Sequence, residues 1–160
     1  MKLKGEKLLR RLTEAHAVPG FEGEVREIFR EELAGAGKFR ADRNGSVLCE
    51  LPGKGPRVLL AGHMDEVGFR VQSITAAGFL QLVPLGGWWT HVLLAQRLQV
   101  KTSAGRKIIG VVSSKPPHFL TEEERKMVMP LASMFLDLGA ASAEEVAKWG
   151  VKVGDPVAPL

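Results

Sequence analysis

The sequence predicts an α/β unit followed by a small β-rich unit. Three observations indicate this order: helical spacing of apolar residues near the start, one continuous apolar run at 58–61, and short strand-like segments from residue 68 onward. The 160 residues suffice for about one domain, or one domain and part of another. Hydrophobic residues make up 45% and charged residues 25%, which is the usage of a globular protein.

Two helices are predicted first. Leu8, Leu9, Leu12 and Ala15 recur at helical spacing, and the sequence Val-Pro-Gly at 18–20 ends this pattern. A second helix is expected over roughly 22–34, because apolar residues again recur on one face and glycines follow it. The apolar positions of this second face are Val25, Ile28, Phe29 and Leu33.

A change to strand-like patterning follows the second helix. Segments 39–42 and 46–51 flank Asn44-Gly45, and Asn-Gly between apolar runs is a strong hairpin signal. The run 58–61, Val-Leu-Leu-Ala, is bounded by turn residues and has the composition of a strand buried on both faces. Residues 1–68 are therefore interpreted as the first part of an α/β domain.

The remainder of the chain is predicted to be β-rich, with two short helices. Closely spaced short strands indicate a small barrel or a sandwich, and these strands are expected at 69–74, 79–84, 97–102, 107–112 and 134–138, with a return toward β at 151–157. Two sequences typical of capping boxes predict the helix starts, Thr121 with Glu124 and Ser142 with Glu145.

Composition argues against several classes of protein. The 22 Lys and Arg residues exceed the 18 Asp and Glu residues by a net charge of +4, and these charges are spread through the chain. The pI of about 9.4 is therefore weak support for nucleic-acid binding. No apolar run nears the ~18 residues of a membrane-spanning helix, the charged start resembles no signal peptide, and the single Cys49 excludes an internal disulfide. We expect a cytoplasmic protein without a nucleic-acid or membrane partner.

The sharpest local feature is His63-Met64-Asp65-Glu66, which follows the apolar run directly. His63 and Asp65 are two residues apart, so on an extended segment their side chains point to the same side. A carboxylate beside a metal-binding imidazole fixes its tautomer and raises its basicity. A polar strand end that faces solvent is the alternative, and the residues alone leave both open.

Several segments together resemble one family, the tetrahedral (TET) dimetal aminopeptidases. The segments are LLRRLTEAHAVPGFEGEVREIF, DRNGSVL, GPRVLLAGHMDEVGF, VPLGGWW, GVVSSKPPHFLTEEER, FLDLGA and GVKVGDPV. This family includes glutamyl and deblocking aminopeptidases, and some relatives carry the label endoglucanase. The resemblance runs along nearly the whole chain but matches only the N-terminal half of the family's enzymes.

The resemblance implies a zinc-peptidase α/β domain into which a small β-rich, barrel-like dimerisation domain is inserted. On this basis residues 1–68 are the N-terminal part of the peptidase domain, 69–157 the inserted oligomerisation domain, and 158–160 the start of the return. It also implies removal of N-terminal residues from peptides, two divalent metal ions (zinc or cobalt), and homo-oligomers built from dimers up to dodecamers.

The resemblance matches only two residues of this sequence to functional residues of the family. His63 resembles the histidine ligand of one metal, and Asp65 resembles the catalytic-site carboxylate that orients this histidine. The family's other ligands and its general-base glutamate follow the inserted domain, whereas zinc usually needs three protein ligands. We therefore expect the 160-residue chain to be truncated and inactive alone, and a non-catalytic oligomerisation module is the alternative function.

Assembly is expected to depend on residues 69–157. Trp88 and Trp89 are candidate interface anchors, since buried aromatics often dominate interfaces, and a place in the barrel core is the alternative. Val58, Leu59 and Leu60 are expected to expose apolar surface, because some strands expected beside them are absent.

The other polar candidates receive structural interpretations. His118 is expected beside a stiff turn, Asp137 and Asp155 in turns, Glu66 as pocket lining at most, and Cys49 as an inert packed thiol.

Overall fold

The computed structural model describes residues 5–160, which divide into two compact units at the boundary between Asp65 and Glu66. None of the helices found in this described part of the chain is long and apolar enough to cross a membrane. The assignment of an oligomerisation role to the second unit stays a prediction, as does the cytoplasmic location.

The first unit contains two helices and a hairpin, as the sequence predicts. Its elements are α1 (Gly5–Thr13), α2 (Gly23–Glu32), β1 (Lys38–Ala41) and β2 (Val47–Glu50). The two strands pair antiparallel, with Phe39 opposite Cys49. In the turn, an Asp42 carboxylate oxygen accepts hydrogen bonds from the backbone N–H groups of Asn44 and Ser46, both at 2.9 Å. Hydrogen bonds, foremost from Ser46, lower the pKa of Asp42.

The predicted strand at 58–61 is absent, and this prediction was wrong. In the described structure the run forms no strand, and Val58, Leu59 and Leu60 are 81%, 77% and 92% exposed. A strand is defined by hydrogen bonds to a neighbour, and within residues 5–160 no segment pairs with this run. The expected exposure of its apolar side chains is confirmed.

The second unit is a closed six-stranded barrel, one of the two architectures predicted for it. Its strands lie in the order β3-β4-β7-β6-β5-β8, and all paired strands run antiparallel. The strand bounds are β3 (Gly68–Ile74), β4 (Leu80–Leu85), β5 (Arg97–Lys101), β6 (Lys107–Ser114), β7 (Met134–Asp137) and β8 (Pro156–Pro159).

Alternating side chains fill the barrel interior. Buried positions recur every second residue along the strands, as in Leu98 and Val100 of β5, which leaves the intervening residues outside. Gly110 is buried where β6 passes close to β7, since a Cβ there would come within 2.7 Å of the Asp137 carbonyl oxygen. Closure of the sheet leaves the barrel without an open edge strand.

Both predicted helix starts are present, α3 (Glu122–Lys126) and α4 (Ala143–Lys148). At α3 the capping box is complete, because Thr121 and Glu124 each accept a backbone N–H of the other. At α4 the Ser142 hydroxyl accepts the backbone N–H of Glu145. The Glu145 carboxylate accepts instead from the backbone N–H of Ala141, so this capping box is only half formed.

The two adjacent tryptophans have different environments. Trp88 stacks on Phe69 with 4.6 Å between ring centroids, and its indole N–H donates to the Gly68 carbonyl at 2.9 Å. It packs against the buried core of the barrel. Trp89 is 67% exposed and its ring contacts only the ring of His91 among the aromatic pairs of the described residues. The core alternative therefore describes Trp88, whereas Trp89 lies on the surface.

Candidate functional site

His63 and Asp65 lie on the segment that joins the hairpin to the barrel. This segment has no regular secondary structure from residue 61 to 67. The structure brings the two predicted side chains together, with 3.2 Å between His63 Nδ1 and Asp65 Oδ1. The His63 side chain is 85% exposed and that of Asp65 42% exposed, so one edge of the imidazole faces solvent.

A second oxygen of Asp65 also contacts the imidazole. The Asp65 backbone carbonyl oxygen lies 2.8 Å from His63 Nδ1, closer than the carboxylate. Sequence reasoning missed this contact, because every residue carries a carbonyl and only the backbone conformation decides where it points.

These two contacts fix the tautomer of His63. A carbonyl oxygen and an ionised carboxylate can only accept hydrogen bonds, so Nδ1 carries the proton and donates. In the neutral imidazole Nε2 then holds the lone pair. Metal-ligating histidines are usually held in this way. One ring nitrogen binds the metal, and the N–H of the other donates to a carboxylate or a backbone carbonyl. His63 therefore fits the role of a metal ligand through Nε2.

The ligand set around His63 is incomplete in the described chain. Between residues 5 and 160 the structure brings no three His, Cys, Asp or Glu side chains together in a metal-binding group. Catalytic zinc is usually held by three protein ligands and a water. A catalytic zinc centre would therefore need donors in addition to His63.

The remaining polar candidates occupy structural positions. Asp137 accepts the backbone N–H of Gly139 at 2.7 Å, and Asp155 that of Lys152 at 2.8 Å, so turn chemistry explains both carboxylates. The exposed His118 ring lies against the ring of Phe119, with 4.3 Å between centroids. Glu66 and Cys49 are half-buried.

Comparison with known family models assigns most of the chain to one family. The sequence model of the M42 glutamyl aminopeptidase family matches residues 45–160, and a second model, AMPT, matches residues 4–29. The glutamyl aminopeptidase of Lactococcus lactis subsp. cremoris is 38% identical over 153 residues, which cover 92% of this chain and 43% of the relative.

Solved structures agree with the fold. A TET aminopeptidase from the marine sediment archaeon Thaumarchaeota archaeon SCGC AB-539-E09 is 45% identical with a TM-score of 0.90, covering 96% of this chain and 44% of that one. The TET1 peptidase of Pyrococcus horikoshii is 30% identical with a TM-score of 0.85, covering 96% and 46%. The predicted fold class and the resemblance to TET aminopeptidases are thereby confirmed, and the chain spans less than half the length of these relatives.

Proposed function

This chain belongs to the M42 glutamyl aminopeptidase family, and we propose that it supplies part of the metal centre of an aminopeptidase that removes N-terminal residues from peptides. The observation that carries the proposal is the held imidazole: His63 Nδ1 donates to Asp65, and Nε2 is left as the metal-binding atom. A polar segment that only faces solvent does not need a held imidazole, so this contact favours the metal-site interpretation of the His-x-Asp spacing.

Each residue has a separate role in this proposal. His63 is a ligand of one of two divalent ions, zinc or cobalt. Asp65 is a positioning residue, which acts through His63 by fixing its tautomer and ring orientation. A divalent metal bound there supplies Lewis-acid activation of a water molecule. The other ligands and the general base come from outside the described residues.

The first test compares the 160-residue chain with a full-length family enzyme that carries the same 160 residues. With added zinc or cobalt, we expect the full-length enzyme to hydrolyse amino-acid anilides and the 160-residue chain to show no turnover, because His63 alone cannot hold a catalytic metal. Robust turnover by the short chain that His63→Ala abolishes would show that the site is complete within it. A metal-loaded full-length enzyme without turnover would refute the aminopeptidase assignment.

We also propose that the chain self-associates through its second unit, residues 66–160. Support comes from its relatives: the P. horikoshii TET1 peptidase can assemble into a tetrahedron or a large octahedral shell. A closed shell of either kind has three-fold axes, and a contact around such an axis joins two different patches of the same subunit. A non-catalytic assembly module is the alternative function, and the metal-dependent turnover above separates the two.

The two tryptophans should respond differently to truncation. We expect Trp88→Ala to lower the thermal melting temperature, since it removes the stacking on Phe69 and the packing of this half-buried indole against the barrel core, a loss on the order of 2–3 kcal/mol. Trp89→Ala should leave the melting temperature nearly unchanged and lower the mass measured by light scattering, because this exposed ring is the candidate anchor. An unchanged mass for Trp89→Ala would remove Trp89 from the interface.

A further inference from the structure

The turn of the β1–β2 hairpin contains a reactive dipeptide. Asn44 is the only asparagine in the sequence, and Gly45 follows it directly. An asparagine side chain can react with the backbone nitrogen of the next residue, and a glycine there has no side chain to obstruct the approach. No aspartate of the sequence precedes a glycine. The two residues that mark the hairpin turn are therefore also the partners for one intramolecular reaction.

The fold requires glycine at position 45. Gly45 has a φ of +88°, a conformation that few other residues adopt without strain. A Cβ at this position would also come within 2.7 Å of Arg26 Nη1. A bulkier residue after Asn44 would obstruct the reaction, but the geometry of the turn excludes one.

Both reacting groups are accessible in the folded hairpin. Asn44 is exposed, so its side-chain amide is open to water. The Gly45 N–H donates to the Asp42 carbonyl at 3.3 Å, whereas Asp42 Oδ1 accepts the N–H groups of Asn44 and Ser46 at 2.9 Å. A donor–acceptor distance beyond about 3.2 Å indicates a weak hydrogen bond. The attacking nitrogen is thus the least firmly held N–H of the turn.

We propose that Asn44 is a site of spontaneous deamidation. In the first step the Gly45 backbone nitrogen attacks Asn44 Cγ, so that a new N–Cγ bond closes a succinimide ring. The bond between Cγ and Nδ2 breaks, and the Gly45 amide proton joins the leaving nitrogen, which departs as ammonia. The step needs no oxidant and no metal.

A water molecule completes the reaction by opening the succinimide. Attack at Cγ restores the original backbone with an aspartate side chain. Attack at the main-chain carbonyl carbon gives isoaspartate, in which the backbone runs through Cγ and is longer by a methylene. In either product an amide has become a carboxylate, with one water consumed and one ammonia released.

The isoaspartate product disturbs a contact between the turn and α2. Arg26 Nη1 donates to the Gly45 carbonyl at 3.0 Å and lies 3.5 Å from a Glu22 carboxylate oxygen. An added methylene before residue 45 displaces this carbonyl, and the new carboxylate places a second negative charge near Asp42. Regions that lose such contacts open more often, so the β1–β2 amides should exchange hydrogen faster in the isoaspartate form.

The test follows the folded 160-residue chain during incubation at neutral and alkaline pH. Isoaspartate is measured by methyl transfer from labelled S-adenosylmethionine with an isoaspartyl methyltransferase, and mass spectrometry of tryptic peptides locates it. We expect labelling at residue 44 that grows with time. It should grow faster at higher pH, because the attacking nitrogen must lose its proton.

Two variants serve as matched controls. N44Q keeps an amide but places it a methylene farther from the Gly45 nitrogen, so its labelling should stay at background. N44D carries the new charge on a normal backbone, so its β1–β2 amides should keep their protection from hydrogen exchange. The aged wild-type chain, enriched in isoaspartate, should lose that protection.

Three results would overturn the inference. A folded chain that stays unlabelled, while the same chain unfolded in urea is labelled, would show that the turn blocks the reaction. Equal labelling of N44Q and the wild type would place the isoaspartate at another residue. Protection in the aged wild type equal to that in N44D would refute the loss of the turn contacts. None of these readings depends on metal or turnover, so the aminopeptidase proposal fails or stands separately.

Discussion

His63→Ala is expected to abolish nearly all peptidase activity of a full-length M42 enzyme that carries these 160 residues. The substitution removes the imidazole Nε2, which we propose as a metal ligand, and a metal with a missing protein ligand is held weakly. Because His63 is largely exposed, its loss leaves no cavity in a packed core, and the melting temperature of the metal-free protein should stay close to that of the wild type. The measurement is kcat/KM on amino-acid anilides at saturating zinc or cobalt.

A matched histidine separates the ligand from a general effect of removing an imidazole. His91 is also exposed, and its ring lies against the ring of Trp89, with 4.7 Å between centroids. We expect His91→Ala to retain wild-type kcat/KM. Equal losses in the two variants would indicate that His63 has no special role, and full activity in His63→Ala would refute its assignment.

Asp65→Asn is expected to preserve the fold and weaken metal binding by about 10–100-fold, the usual effect of losing a group that orients a ligand. The neutral amide no longer stabilises the imidazole electrostatically, but two features limit the loss. The backbone carbonyl of residue 65 still accepts from Nδ1, and the asparagine oxygen can replace the carboxylate as an acceptor. Metal affinity is measured by competition with a chromophoric chelator.

The neighbouring carboxylate provides the control for Asp65. Glu66→Gln removes the same charge one residue away, so a long-range electrostatic effect should change metal affinity similarly in both variants. If Asp65 acts through its contact with His63, only Asp65→Asn should show the loss. An affinity in Asp65→Asn equal to that of the wild type would mean that the backbone carbonyl orients the imidazole without the side chain.

Much of the fold could be predicted because its signals are local. Asn44-Gly45 marks the hairpin turn, Thr121 with Glu124 marks a helix start, and the two-residue period marks the barrel strands. The strand prediction for residues 58–61 was wrong because a strand depends on a non-local partner. An apolar run forms a strand only when another segment supplies its hydrogen bonds. Trp88 and Trp89 could not be separated by composition, because their different environments arise from the backbone path.

The candidate site was likewise predictable only in part. The spacing of His63 and Asp65 predicts that their side chains meet, and the structure places them at 3.2 Å. The closer contact from the Asp65 carbonyl depends on backbone torsion angles that no residue type reveals.

The most direct test of the account is the number of metal ions bound per chain. Full-length enzyme carrying these residues is loaded with zinc, dialysed against metal-free buffer and analysed by elemental mass spectrometry, as wild type, His63→Ala and His91→Ala. The account predicts two ions for the wild type and for His91→Ala, and one fewer for His63→Ala. Full occupancy in His63→Ala, with the protein folded, would contradict the claim that His63 binds the metal.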